Sequence, residues 1–450
     1  MKKTIYSHLC AVLAFFFSYT ILVTVSSCTD DYRFGNELSN KELSVPPIRS
    51  VDEAFKIAEQ AKGMFGDQTS TRSGQVREVD RENVRVICKN KTRANSSNSL
   101  DTLIYVVNYA DNEGFAIISA NLGTEALLGV TEIGNYDDAI AENDGFSFFM
   151  DLAKKYVKNS SRFSGDPFTV TETTMIDSLN PLITVKWGQN FPEALYCPNT
   201  WAGCANTAVI QICSYYEFPT SMNLTFSQRE RDSISIDWVE VKKHYISSDS
   251  YASHTNCLAS EDSHKVIAEL ARQCGVYSNS QYKFNDLLTF SSDSPAPYSY
   301  TNYCYWIGPY TETLFDMDDE LDVIDMIEAL GYVRPEKHLY SSQCTNFSLN
   351  LGRPVFMFGT TYDLVDPHYW IVDGFKYYQD VITTHATEPA TTTITYRYYN
   401  HVNWGWNGIS NGYFLDGVFT ANAAYSYDDQ SLGQRPDSFP ACLYYFAVRR

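Results

Sequence analysis

Apolar and polar positions alternate with two different habits along this chain. Near the start, Ala54, Phe55, Ala58 and Ala61 recur at helical spacing behind Ser50. Glu53 follows that serine by three positions, which completes a capping box. The segments "NVRVICKN" and "DTLIYVVNYADNEGFAIISA" read as strands, the second folded by a turn at Asp111–Gly114. "GFSFFMDLAKKYVKNSS" returns to helical spacing, and the Ser/Asn-rich "RANSSNSL" reads as a loop. Together these predict a small α+β unit.

The later part has a different order. Ala205, Ala208, Val209, Ile212 and Tyr216 form a helical stripe that ends before Phe218-Pro219. "SHKVIAELARQCGV" and "ELDVIDMIEALGY" predict two further helices, with Gly275 and Gly331 as their C-terminal stops. Strand-like segments follow: "RPVFMFGTT", "HYWIVDGFKYY", "TTTITYRYYNHVNWGW", "GYFLDGVF" and finally "FPACLYYFAVRR". Helices first and an antiparallel sheet afterwards make an α+β fold class. A chain of 450 residues is too long for one ordinary domain. All seven tryptophans lie at or after Trp187, so a boundary is expected around residues 165–185.

The first residues read as an address. Lys2 and Lys3 precede an apolar run that ends in "VSSC", and polar "TDDYRFGNELSNKE" follows. Val25-Ser26-Ser27 before Cys28 resembles the lipobox of bacterial lipoproteins, in which the cysteine is freed and lipidated. An ordinary secretory signal is the plainer alternative. The expected location is extracytoplasmic, lipid-anchored to a bacterial outer membrane. A net charge of −20 excludes a nucleic-acid partner, which needs a cationic face. The expected organisation is a signal over 1–27, a polar linker over 28–49, an α+β unit over 50–172 and a larger domain over 173–450.

The chain has eleven cysteines and no CxxC pair, so neither a zinc site nor a thioredoxin-type motif is indicated. Without Cys10 in the signal and Cys28 at the lipid, nine remain, an odd number that leaves a thiol over. Cys204 follows Gly203 at the start of the first later helix. Unpaired N–H groups and the helix dipole there favour a thiolate. Most helix-start cysteines are structural, so the position alone decides nothing. A nucleophile also needs a base. His368 opens the strand "HYWIVDG" after a turn-like "VDP"; His401 in "NHVNWGW" competes with it. Asn403 has an amide able to orient the imidazole, with Trp404 shielding that bond, and Gln189 offers an N–H₂ to an oxyanion.

Gln189 in "KWGQNFP", "AGCANTAVIQI", "HYWIVDGF" and "NHVNWGWNGISNGYFL" occur in one order. That order resembles the streptopain-type cysteine peptidases, which have a papain-like fold. The unit containing "GFAIISA" and "ALLGVTEIG" resembles that family's propeptide. The resemblance implies Cys204 as nucleophile, His368 as general base and Gln189 in the oxyanion hole. It further implies Asn403 and Trp404 as support for the histidine, and Trp406 with Gly203 along the substrate cleft. Protein or peptide substrates, an intramolecular inhibitor and no metal or organic cofactor are implied as well. The departures are Asn206 in the first helical turn, Tyr369-Trp370 behind the histidine, and a long hairpin over residues 376–399 that could form an exosite or flap. A catalytically silent surface lipoprotein that binds peptides on the same fold is the competing expectation, as is a released N-terminal unit that inhibits in trans.

Overall fold

The capping box forms as its spacing requires. Ser50 N donates to Glu53 Oε2 over 2.6 Å, and Glu53 N donates to Ser50 Oγ over 3.2 Å. It starts helix α1 (Val51–Phe65), which buries Ala54, Phe55, Ala58, Ala61 and Phe65. The computed structural model describes residues 48–65, 78–88, 92–94, 101–137, 143–159, 169–197, 202–223, 233–243, 260–277, 318–361, 368–384, 391–422 and 441–450. The lipobox-like segment and Cys28 lie outside the described residues.

Five strands complete the first unit: β1 (Val79–Cys88), β2 (Thr92–Ala94), β3 (Thr102–Tyr109), β4 (Phe115–Ser119) and β5 (Leu127–Thr131). Helix α2 (Asp144–Asn159) closes it. β2 takes the first residues of the expected loop at "RANSSNSL", because Arg93 and Ala94 pair with β1.

The later part carries α3 (Cys204–Tyr216), α4 (Trp238–Val241), α5 (Glu261–Tyr277), α6 (Asp318–Ala329) and α7 (Ser342–Asn350). Its main strands, after β6 (Thr169–Leu179), the small β7 (Ser221–Asn223)–β8 (Ser233–Ser235) pair and β9 (His338–Leu339), are β10 (Val355–Thr361), β11 (His368–Thr384), β12 (Thr391–Asn403), β13 (Gly412–Leu415) and β14 (Ala441–Ala447). Gly331 stops α6 with φ +92°, as expected, and Tyr332 N reaches back to Ile327 O. Gly275 does not stop α5, which continues to Tyr277. The expected strand "GYFLDGVF" turns at Asp416 into helix α8 (Asp416–Asn422). β6 crosses the boundary expected at 172/173: it pairs with β11 from Thr169↔Thr384 to Leu179↔Phe375.

The two parts share one sheet of order β2-β1-β3-β4-β5-β13-β12-β11-β10-β14-β9, with β6 added on β11. The seam is antiparallel, with Gly412↔Thr131, Tyr413↔Val130 and Phe414↔Gly129. A Cβ on Gly412 would lie 2.1 Å from the Val130 carbonyl oxygen, so the close approach needs glycine. Around the seam one apolar core includes Phe146 and Phe149 of α2 together with Phe414 and Phe419. The Phe149 and Phe414 rings meet at 4.7 Å. Alternation along β10 and β11 sends Met357, Trp370 and Val372 into that core. Phe356, Phe358 and Ile371 go to the opposite face, where α3, α5 and α6 pack. No described helix is long and apolar enough to cross a membrane.

Gly412→Ala should therefore open the seam. Overpacking of this kind costs on the order of 1–3 kcal/mol. The expected outcome is a lowered Tm of the full chain, with faster proteolysis of residues 48–159 than of the C-terminal part.

Candidate active site

Gly203 precedes α3 with φ 91° and ψ 142°, a conformation that L side chains disfavour, and its carbonyl accepts from Thr207 N. This sharp entry leaves Cys204 half-buried as the first helical residue, in no disulfide. The first-turn N–H groups and the positive end of the helix dipole lie at its sulfur. Asn206 turns inward and donates to the Ala202 carbonyl over 2.8 Å, so it neither distorts the turn nor faces a substrate. Burial pushes the Cys213 thiol up to about 12 and the Cys274 thiol well above its ordinary value. Those two are inert as nucleophiles.

Gln189 is fastened beside this helix start. Its carbonyl accepts from Ala202 N over 2.7 Å, and the Gly188 carbonyl accepts from Thr207 Oγ1 over 3.3 Å. A Cβ on Gly188 would lie 2.6 Å from Asn407 Oδ1, so the segment after β12 presses on the same point.

His368 opens β11 opposite Gly359 and is buried. Its Nε2 lies 3.3 Å from the Trp404 carbonyl oxygen, an acceptor only, which sets the proton on that nitrogen. Trp370 stacks on the ring at 6.3 Å and 12°. Burial pulls the imidazole down to about 4, against a smaller opposing effect of the Trp404 carbonyl. Trp370 and Tyr369 pack into opposite cores, so the bulk expected near the cleft is spent in packing.

Asn403 does not hold the imidazole here, contrary to the expectation. Its Nδ2 donates to Gln211 Oε1 over 2.6 Å and its Oδ1 accepts from Gly405 N over 3.0 Å. Both polar atoms of the buried Asn403 amide are satisfied by these two partners, which leaves neither for the ring. Gln211 is thus a site residue that sequence reasoning missed. The available signal was its position seven residues after Cys204, on the same face of α3. Trp404 is fully buried, with its ring 5.5 Å from Trp370, and its backbone N–H donates to Asn411 Oδ1. Trp406 is also buried, in the turn after β12. Backbone contacts and amides thus tie α3, Gln189 and residues 403–405 together, and the Trp404 carbonyl joins His368 to them.

Residues 186–414, just over half of the chain, match the sequence profile of the Peptidase C10 family. The chain belongs to the peptidase C10 family. Residues 46–157 match the Spi protease inhibitor profile. The molecule is therefore a cysteine peptidase zymogen with an inhibitor-type propeptide domain in front. A solved structure of a prointerpain A fragment from Prevotella intermedia is 20% identical, with a TM-score of 0.47, covering 77% of this chain and 95% of that one. No curated protein matches the sequence.

In this C10 peptidase the propeptide domain touches the candidate base directly. A Cβ on Gly145 would lie 2.3 Å from His368 Cδ2, 2.5 Å from its Nε2 and 2.8 Å from Trp404 Cε3. Asn143 sets this approach: its Oδ1 accepts from Phe146 N, and its Nδ2 lies 3.4 Å from the Ile409 carbonyl. A second contact disposes of the competing histidine. His401 Nδ1 lies 2.6 Å from Asp373 Oδ1, and Nε2 lies 3.3 Å from Glu132 Oε1 of the propeptide domain. Burial opposes its charge, but the two carboxylates outweigh it and raise the pKa to about 9. A charged imidazole is no general base. Burial alone would raise the Glu132 carboxyl, but His401 and Lys186 hold it well below its ordinary range.

The two histidines give opposite pH dependences. His368 titrates near 4 here and near 6.5 when unfolded, so the unfolded chain holds more protons between those values. Its contribution is full above about 6.5 and falls as pH drops toward 4. The His401 contribution is full below about 6.5 and is lost as pH rises through about 9. The Tm of full-length Cys204→Ala should fall on both sides of a central plateau, and His368→Asn in that background should flatten the acid side. An unchanged acid limb would refute the assignment. Separately, Gly145→Ala should wedge the propeptide domain off the ring. Alkylation of Cys204 in the full chain should then run at least several-fold faster than in wild type.

Proposed function

We propose that this zymogen is a lipid-anchored, extracytoplasmic endopeptidase in which Cys204 is the nucleophile. The observation that carries the reading is that Gln189 is tied to the start of α3 through Ala202 and Asn403 to the middle of α3 through Gln211, while His368 is joined to the residue after Asn403 through the Trp404 carbonyl. A half-buried thiol at a helix N-terminus suits acyl transfer, with His368 and Gln189 as the base and the oxyanion donor that such a step needs.

In the active form the propeptide domain is gone and Gly145 has left the imidazole. His368 takes the proton of the Cys204 thiol, and Sγ attacks the scissile carbonyl carbon. Negative charge develops on the carbonyl oxygen, where the Cys204 N–H and the Gln189 side-chain N–H₂ stabilise it. The C–N bond breaks as His368 returns the proton to the leaving amine, which leaves an acyl-thioester. Water, deprotonated by His368, then attacks the thioester and releases the acid and the thiol. The Trp404 carbonyl supports this exchange by holding the imidazole, while the Asn403–Gln211 pair anchors α3 to the same segment. Protein or peptide substrates are the class this chemistry serves. Val25-Ser26-Ser27-Cys28 supports lipid attachment at Cys28 to the outer membrane.

The test follows intact mass over time for soluble protein starting at Thr29, beside Cys204→Ala, under reducing conditions. The expected result is that wild type shortens by roughly the propeptide domain and the variant does not. Should neither shorten, trimming with a trace of trypsin and then adding a thiol-directed epoxide should label Cys204. An unlabelled Cys204 after trimming would overturn the assignment.

A further inference from the structure

The propeptide domain makes one contact that lies far from the cleft. At the end of α1, Phe65 enters an aromatic cage on the peptidase. Its ring lies 5.9 Å from Tyr378, 5.1 Å from Tyr399 and 5.2 Å from Tyr413. The Lys376 ammonium sits 5.2 Å from the Phe65 ring and 5.1 Å from the Tyr413 ring. The carbonyl of Met64, one residue before the plug, accepts twice: from Lys376 Nζ over 2.9 Å and from Tyr378 Oη over 2.7 Å. That carbonyl belongs to the last turn of α1, where backbone acceptors lack helical partners.

Every wall of the cage belongs to the peptidase. Tyr378 is on β11, Tyr399 on β12 and Tyr413 on β13, three neighbouring strands of one sheet. Lys376 is paired in register with Tyr399. The sheet, not the propeptide, fixes the walls, so they stay in place when the plug is withdrawn. The Tyr399 hydroxyl also loses its acceptor then, the Leu127 carbonyl of the propeptide domain. Removal of the propeptide uncovers three aromatic faces, one ammonium and two phenolic hydroxyls, all at one spot. Lys376 follows His368 by eight residues on β11, roughly 25 Å of strand. The cage is therefore separate from the catalytic centre.

We infer that the mature peptidase carries a second peptide-binding site at this cage, which takes an aromatic residue of a polypeptide substrate together with the carbonyl just before it. The propeptide's Met64-Phe65 is the resident ligand of the same chemistry. An aromatic ring in such a cage gains edge-to-face contacts and a cation–π contact beyond its buried area. The doubly bonded carbonyl fixes which way the chain runs. The inference rests on the zymogen being converted by loss of its propeptide domain.

The test uses the mature enzyme with Cys204 blocked by iodoacetamide, so that binding is read without turnover. The probe is a fluorescein-labelled, C-terminally amidated peptide of residues 51–65. Fluorescence anisotropy should show saturable binding, weakened at least about tenfold when the peptide carries Phe65→Ala. Lys376→Met in the enzyme should weaken the parent peptide several-fold, and the peptide substitution gives an answer even if that enzyme variant fails to mature. With unblocked enzyme, the unlabelled peptide should raise KM for denatured casein and leave hydrolysis of a short dye-labelled peptide unchanged. No saturable binding at millimolar peptide, or equal binding of the Phe65→Ala peptide, overturns the second site. Cys204-dependent hydrolysis of the short substrate would in that case still stand. Loss of that hydrolysis would instead remove the proposed nucleophile, with the anisotropy result unaffected.

Discussion

The three-residue ladder between β5 and β13 is the constraint on which the rest depends. It joins the propeptide sheet to the peptidase sheet edge to edge, so two domains fold around one core. An antiparallel seam this short supplies few hydrogen bonds. Its strength comes from the side chains it aligns, since Tyr413 and Phe414 are placed against α1 and α2 by it. With the seam in place, α2 has no choice but to lay its first turn on His368. The contact of Gly145 with His368 is thus part of the same core as the seam. An apolar interface of this kind is typical of permanent association.

Two buried histidines meet opposite fates within that core. His368 is surrounded by Trp370, Trp404 and Gly145, and burial favours its neutral form, with no charged group among the described residues contributing against it. His401 lies between Asp373 and Glu132, and carries its charge because two carboxylates do compensate it. The propeptide domain contributes to both states, with Gly145 against one ring and Glu132 against the other, although Asp373 of the peptidase part does more to charge His401. The candidate base is thus neutral and its competitor is locked in a charged pair.

Much of this was legible in the sequence. The Ser50–Glu53 box, the helix behind Cys204 and the antiparallel strands after residue 355 all carry local signals: caps, period 3.6 and period 2. What escaped depends on tertiary partners. Asn403 reads as an imidazole support because its neighbours in sequence include Trp404, yet its partner is Gln211, 192 residues away. The burial of His368 comes from Gly145, a residue whose contribution is the absence of a side chain. Gly275 reads as a stop because glycine is a poor helix former, but α5 continues through it. β6 went unread because its threonines and acids have no buried face; the strand exists through its ladder to β11.

The long hairpin is the clearest case of a sequence departure with a structural reason. Such an insertion, built from two strands alone, is marginal in water. Here β6 adds a third strand, and Asp380 crosslinks all three: it accepts from Arg397 of β12 over 2.7 Å and from Thr173 of β6 over 2.6 Å. Glu125 of the propeptide domain comes within 4.0 Å of the same guanidinium, next to the cage that holds Phe65. The base of the hairpin is therefore the place where the linker strand, the peptidase sheet and the propeptide meet. Lengthening β11 and β12 extends the peptidase sheet toward the end of α1, and that extension creates the seat for Lys376 and Tyr378 on the Met64 carbonyl. An insertion that merely lengthened a loop would have required neither the third strand nor a part-buried arginine–aspartate pair to stiffen it.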